Sequence, residues 1–458
     1  MKKYASINPF TEAKLQEYSF IHFDEANQLL NQSIISFQLW RKKSFDARAK
    51  PIIKLSELLI ENADSLARIA SEEMGKIVSQ ARSEIIKSAN LCAYYAIHSG
   101  PLLEPEIHQI EEETELRISF EPLGVILGIY PWNFPFWQII RSAAPILMSG
   151  NVILVKPAPN VPQTSLALQK IIDQCGFPEG TFRTIFADEE LVANLISDDR
   201  IAGTTLTGSE DAGSKVAAQS GKYIKPHVLE LGGSDPCIIL KDAPLDELME
   251  QIVFARFQNN GQSCVAAKRF LVQAEIAEEF IQKLITAMDK LVLGNPLLPE
   301  THIGPLARFD LVQLLVQQVN DSVAAGAKMI YQSKQKPLTG FFFPPTILSN
   351  IPKDSRAYRE ELFGPVVSLY SFETMEEAIE LANDSRFGLG ACIFSKDLDL
   401  AKKMANQIES GMVSINQIVK SDSRFPFGGI KKSGYGREIG EYGLKAFCNV
   451  KTVWLKKL

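Results

Sequence analysis

The chain is poor in the features that would place it outside the ordinary globular enzymes. Its six cysteines, Cys92, Cys175, Cys237, Cys264, Cys392 and Cys448, are scattered through 458 residues without a CxxC pair or a Cys/His cluster. That argues against structural zinc, against any bound metal and against a disulfide framework, and for a reduced, cytoplasmic setting. No stretch approaches the roughly 20 uninterrupted apolar residues of a membrane span; "VILGIY" is too short, and "PILMSGNVILV" is broken by Ser, Gly and Asn. "MKKYASINPFTEAK" turns polar before an apolar core could form, so no secretory signal is expected. There is no long basic block: the net charge is −6 and Lys/Arg alternate with Asp/Glu, so neither a nucleic-acid partner nor a membrane surface is expected. Histidine is scarce. The five present (His22, His98, His108, His227, His302) sit in no recognisable motif, which leaves a cysteine hydrolase without its base.

What is present reads as a soluble globular chain, 46% hydrophobic and 22% charged. Its length exceeds what one hydrophobic core supports, so two or three domains are expected. Residues 24–98 place Leu, Ile and Ala at three- and four-residue intervals, predicting long amphipathic helices. From 118 onward the pattern changes to short apolar runs, at 124–130, 151–157, 181–187 and 201–208, with helical segments such as 162–175 between several of them. That alternation predicts parallel sheet with right-handed crossovers, whose ligands sit at the carboxyl ends of strands. A second series starts at "CIILKDA" (237–243), continues through "KRFLVQ" and a helix near 277–292, and ends at "GACIFS" and "GMVSINQ". The expected boundary is "LELGGSDP", where two glycines and a proline interrupt the chain. "ETELRISFEP" (113–122) and the C-terminal "FCNVKTVWLKKL" alternate with period two; such strands need a partner edge, which a second subunit would provide.

Four stretches carry candidate chemistry. "YPWNFPFWQ" (130–138) reads either as an aromatic core turn or as a proline-fixed mount for Asn133, whose amide can donate to an oxyanion. Glu230, between leucines in "VLELGGSDP", either pairs with a cation or has a raised pKa suited to general-base work. Lys156, in "LVKPAPN", ends a strand where it can meet a ribose hydroxyl or phosphate; "TLTGSEDAG" opens a helix whose N–H groups suit a pyrophosphate, although it lacks the GxGxxG triplet. Cys264, in "FQNNGQSCVAAKRF", is by type alone as readily a small buried residue as a nucleophile.

In this order, and followed by "EELFGPV" (360–366) and "PFGGIKKSGYGRE" (426–438), these stretches resemble the aldehyde dehydrogenase superfamily from "INPFTE" to the C-terminal strand. The resemblance implies an α/β protein with a Rossmann-type cofactor domain (1–105 and 126–229), an α/β catalytic domain (230–427), and a small oligomerisation β-sheet from bridging segments (106–125 and 428–458). It implies Cys264 as nucleophile, Asn133 as oxyanion donor and Glu230 as general base. NAD or NADP would be held by Trp132, Lys156, Pro159, Gly208, Ser209, Leu231, Gly232, Glu361 and Phe363. NAD-preferring members often carry a glutamate where this chain has Pro159, so NADP use is compatible with the sequence. The expected assembly is a homodimer or homotetramer.

For the substrate, Phe134, Trp137, Arg141, Ser263, Ser421 and Arg424 are the matching pocket positions. Arg141 stands where succinate-semialdehyde enzymes carry arginine. In an apolar pocket it would be an isolated charge unless the substrate supplied a carboxylate, or unless a nearby acid paired with it. Those enzymes often carry a second arginine where this chain has Gln258, and a second cysteine where it has Ala266; the "NNGQSCVAAKRF" version resembles a shorter bacterial branch assigned to succinate semialdehyde. Ser421 or Arg424 would then supply the missing anion contact. Glutarate semialdehyde, a broad-range aldehyde and a non-catalytic binding role remain the competing readings.

Overall fold

A computed structural model describes residues 3–111, 113–335 and 337–457. The apolar runs from 124 to 230 become a six-stranded sheet, in the order Gly434–Tyr435, His227–Glu230, Ile201–Thr207, Val125–Ile129, Val152–Lys156 and Phe182–Thr184. All neighbours are parallel except Gly434–Tyr435, which runs antiparallel to His227–Glu230. Parallel strands flanked by helices are buried on both faces, which is why these runs read as continuously apolar rather than alternating. The chain leaves Val125–Ile129 toward one edge and later returns to its other side at Ile201–Thr207, so the order reverses at the centre of the sheet and opens a crevice at the strands' carboxyl ends.

The periodicity of 24–98 becomes four helices, Phe23–Trp40, Phe45–Glu61, Ala63–Met74 and Val78–Leu102. An N-terminal hairpin, Lys3–Ile7 with Lys14–Ser19, precedes them. The second series forms a seven-stranded sheet, in the order Lys328–Gln332, Thr346–Ser349, Val366–Phe372, Ala267–Gln273, Asp235–Ile239, Gly390–Phe394 and Met412–Ile415, with only Lys328–Gln332 antiparallel. Glu106–Glu111, Thr114–Pro122 and the C-terminal strand meet in a three-stranded antiparallel sheet, in the order Cys448–Lys456, Thr114–Pro122, Glu106–Glu111.

Residues between Gly428 and Phe447 stay out of that small sheet. Ile430–Lys431 pairs with Phe387–Gly388, Gly434–Tyr435 edges the six-stranded sheet, and helix Gly440–Lys445 packs on helix Trp137–Met148. This segment carries Glu438 to Arg141 of that helix. Among the described residues no helix is long and apolar enough to cross a membrane.

Candidate active site

The turn before Cys264 takes its shape from "NNG". Asn259, Asn260 and Gly261 occupy the left-handed region in succession (φ 52°, 58° and 77°), which asparagine tolerates better than other side chains and glycine adopts freely. Side-chain amides hold the turn. Asn259 Nδ2 donates to Asn133 O (2.8 Å) and Gln262 O (2.9 Å), and Asn260 Nδ2 to Gly75 O (2.9 Å) and Pro305 O (3.0 Å). Lys268, buried at the start of the next strand, donates to Ser263 O and Cys264 O, each at 2.8 Å. Arg256 ties the turn to the 360–366 loop through Gly261 O (3.3 Å) and Leu362 O (3.0 Å). The nucleophile candidate therefore stands on a rigid mount, as a precisely aimed group requires.

Asn133 meets this turn from the other sheet. Its Nδ2 donates to Gln262 O at 3.1 Å, while its Oδ1 is buried without a partner. The Cys264 backbone N–H donates to no described protein acceptor. The mount of the Asn133 turn is a buried ion pair: Glu84 accepts from Phe136 N–H and Trp137 N–H (2.9 Å each) and pairs with Lys76, whose ammonium lies 3.8 Å over the Phe134 ring.

Glu230 ends its strand in full burial, and neither carboxylate oxygen has a partner. Gly428 leaves it room, since a Cβ there would lie 2.5 Å from Glu230 Oε1. Loss of water, and then the charge of Glu438, push its pKa well above the ordinary carboxylate range, against the pull of Arg141 and Arg437. Burial likewise pushes the Cys264 thiol up to about 12, with Arg141 and Lys268 opposing.

A cavity of about 390 Å³ opens in front of the thiol. Of the expected pocket residues, Phe134, Trp137, Arg141, Ser263 and Ser421 line it together with Cys264. Arg424 does not: its guanidinium is exposed and holds Asp422 with two bonds (2.9 and 2.7 Å), because an acid two residues away captures it first. Arg141 is also no isolated charge. Its Nε pairs with Glu438, its Nη2 donates to Thr207 Oγ1 at 3.3 Å, and it lies 4.6 Å over the Phe427 ring.

Several lining residues escaped the sequence reading. Lys87 donates to Ser421 Oγ at 2.5 Å and Lys420 shares the wall, beside Gln258, the position already marked by the arginine it lacks, whose Nε2 is unpartnered. Gln80, Glu84 and Lys87 lie on one face of helix Val78–Leu102. The one readable signal was Glu84, which interrupts the buried stripe Ala81, Ile85, Ser88 and Cys92; a charge in such a stripe is buried and so must be partnered.

The remaining expected residues gather at the carboxyl ends of four adjacent parallel strands. Trp132 follows Val125–Ile129 and packs edge-on against Phe363, with ring centroids 5.8 Å apart. Lys156 ends its own strand, with exposed Pro159 beyond it. Gly208 and Ser209 follow Ile201–Thr207, where Ser209 caps helix Glu210–Lys222 by accepting from Ala212 N–H (3.3 Å). Leu231 and Gly232 follow His227–Glu230, and Leu231 fills the space at Gly213, where a Cβ would lie 2.6 Å from it. Glu361 closes the group, bound to Gly233 N–H (3.2 Å) and Lys268 (3.0 Å), with its other oxygen against Gly232.

A thiol, an unpartnered buried carboxylate and a side-chain amide, set between a doubly wound sheet and a second α/β sheet, define a class, and comparison with known proteins agrees. Residues 1–453 match the model of the aldehyde dehydrogenase family, and the chain belongs to that family. It is 45% identical over 451 residues to a probable succinate-semialdehyde dehydrogenase [NADP(+)] of Synechocystis sp., covering 98% of this chain and 99% of that protein. It is 42% identical to the succinate semialdehyde dehydrogenase [NAD(P)+] of Escherichia coli, covering 99% and 98% respectively. The solved structure of a succinic semialdehyde dehydrogenase from Streptococcus pyogenes in complex with NADP+ superimposes with a TM-score of 0.97 at 33% identity, covering 99% of this chain and 100% of that one.

The crevice fits the dinucleotide that the family uses. Lys156 is largely buried with no bonded anion, burial lowering its pKa, and so offers an uncommitted ammonium. The capped helix at Ser209 presents N–H groups to phosphate. Gly232 admits only a hydrogen where Glu361 approaches.

Proposed function

We propose that the chain oxidises an aldehyde bearing an ω-carboxylate, succinate semialdehyde above all, to the corresponding acid, with NADP or NAD as hydride acceptor. The observation that carries this reading is the cavity: the Cys264 thiol shares it with three cationic side chains, Lys87, Arg141 and Lys420, while the one carboxylate of its lining, Glu84, is committed to Lys76 and two N–H groups. An uncharged aldehyde gives such a pocket no counter-charge. The names borne by relatives at 42–45% identity support the same substrate.

The residues then divide the work. With its pKa pushed up to about 12, Cys264 is a thiol at neutral pH and must lose its proton as it attacks. That proton leaves to solvent through the cavity, and Glu230, unpartnered and of raised pKa, acts in the second half of the reaction. Sulfur adds to the aldehyde carbon, and Asn133 Nδ2 and the Cys264 N–H hold the oxyanion, a contact worth on the order of 3 kcal/mol. When bound, the nicotinamide supplies the acceptor for the hydride that converts this adduct to a thioester. Glu230 then takes a proton from water, whose oxygen adds to the thioester carbonyl; acid leaves and the thiol is restored. Trp132, Lys156, Gly208, Ser209, Leu231, Gly232, Glu361 and Phe363 hold the dinucleotide, and Pro159 leaves space for a 2′-phosphate that a carboxylate would repel.

The division into a cofactor domain, a catalytic domain from Glu230 and a small oligomerisation sheet is part of the same reading. Cys448–Lys456 is an edge strand with Val450, Trp454 and Leu455 exposed; an apolar open edge is a pairing surface, and a homodimer or pair of dimers in the cytoplasm would cover it. A panel of succinate semialdehyde, glutarate semialdehyde and butyraldehyde against both cofactors, read as reduced-nicotinamide absorbance, tests the function. A kcat/KM for butyraldehyde equal to that for both semialdehydes would refute it.

A further inference from the structure

The three cations of the cavity are not equivalent. Arg141 carries its own counter-charge, Glu438, and is fully buried against Phe427 and Thr207. Lys87 has none. No carboxylate of a described residue lies within ion-pair distance of its ammonium, whose partners are the Ser421 hydroxyl at 2.5 Å and the face of Trp137 at 4.2 Å. Glu84, one helical turn back, is already bound to Lys76 and the backbone N–H groups of Phe136 and Trp137. Asp422, which follows Ser421 in the chain, is held by Arg424.

An ammonium largely removed from water without an anion is costly, and a site keeps one when a ligand supplies the missing charge. The surroundings favour a carboxylate. Ser421 accepts from Lys87, so its own proton is free to be donated. Two further donors on the same wall, Gln258 Nε2 and Ser263 Oγ, are buried and unpartnered. Position matters as well: Ser83, Lys87 and Ser421 line both the thiol's cavity and a second cleft of about 440 Å³ on its outer side. Lys87 therefore borders both spaces.

We propose that the Lys87 ammonium, together with the Ser421 hydroxyl, is the principal seat of the substrate's ω-carboxylate, and that Arg141, neutralised by Glu438, is secondary to it. This rests on the reading of the substrate as an ω-carboxy aldehyde. Lys87 takes the place of the second arginine that the Gln258 position lacks, and it reaches the pocket from a helix of the cofactor half rather than from the cysteine-bearing turn. Its contact is with the far end of the substrate, so it sets specificity through KM rather than through the chemistry at sulfur.

The test compares the wild-type enzyme with Lys87→Met, which keeps the length of the side chain without its charge, and with Lys87→Arg, which keeps the charge. The readout is the ratio of kcat/KM for succinate semialdehyde to that for butyraldehyde, with succinate as a competitive inhibitor of each. Loss of one charge-assisted contact lowers the ratio roughly 10- to 100-fold in Lys87→Met, by a higher KM, with a matching rise in the succinate inhibition constant; Lys87→Arg retains more of the ratio than Lys87→Met. A wild-type enzyme that favours the semialdehyde, with Lys87→Met keeping both ratio and inhibition constant, overturns the assignment of Lys87 alone. A wild-type enzyme with no preference for the semialdehyde overturns the substrate reading and the seat together. A misfolded variant is recognised by losing both aldehydes equally; the succinate inhibition constant of Lys87→Arg then decides, and one equal to that of Arg141→Leu or weaker overturns the ranking of the two cations.

Discussion

Replacing Arg141 by Leu tests the electrostatic frame of the site. In the folded chain its guanidinium is paired with Glu438 and lies beside Glu230, and all three groups are buried. Removing the cation leaves Glu438 with one weak contact, from Thr205 Oγ1 at 3.3 Å, and two neighbouring carboxylates with less positive charge near them. Breaking a buried pair from one side costs about 3–5 kcal/mol, most of it the uncompensated charge. For a chain of this size that corresponds to a fall in melting temperature on the order of 10 °C. Because the penalty lies in the orphaned acid, Arg141→Leu combined with Glu438→Gln should regain much of it, giving a coupling of about 1–3 kcal/mol. Thermal scans of the four proteins, at one pH and one protein concentration, complete the cycle. Additivity within about 0.5 kcal/mol, or an Arg141→Leu protein that melts with the wild type, would show that the pair does not hold Arg141 and would return its full charge to the pocket.

Other consequences follow from the buried groups. Glu230 keeps its proton in the fold to a higher pH than in the unfolded chain, so its burial costs little below the ordinary carboxylate range and progressively more above it; Glu230→Gln should therefore melt higher than the wild type at pH 8, with the gap shrinking toward pH 5. Burial and Arg141 lower the Lys87 pKa to about 8, with Lys420 adding to them and Glu84 and Asp422 opposing. On the free enzyme, kcat/KM for the semialdehyde should accordingly fall above about pH 8 relative to that for butyraldehyde, and parallel profiles would argue against a cationic Lys87 in binding. Pro159→Glu should lower kcat/KM for NADP relative to NAD by roughly tenfold or more, because a like charge is set against the 2′-phosphate; an unchanged ratio would place that phosphate elsewhere.

The parts of this fold and site that could be read from the sequence are those whose causes are local. Buried parallel strands announce themselves as apolar runs, and "NNGQSC" carries in its own residues the left-handed turn that mounts Cys264. Asn133, Glu230 and Cys264 were legible because each sits in a short stretch of distinctive composition. Partners across the fold were not. Glu438 reaches Arg141 from nearly 300 positions downstream, and nothing in "GYGRE" marks its acid for burial. Lys87 occupies a position that helical periodicity assigns to a solvated face; only the approach of Trp137 and Ser421 turns that face into a wall of the cavity. Arg424 failed for the opposite reason, since Asp422 beside it in sequence was available to hold it.

In the proposed mechanism Cys264 carries the acyl group of an ω-carboxy aldehyde and Glu230 drives its release. The most direct measurement incubates Glu230→Gln with succinate semialdehyde and NADP, follows the formation of reduced cofactor in a rapid mixer, and maps the quenched protein by peptide mass spectrometry. A burst of about one reduced cofactor per subunit, slow turnover thereafter, and a succinyl thioester on the peptide containing Cys264 are expected. Free succinate released at the wild-type rate with no adduct, or an adduct on any other residue, would contradict it.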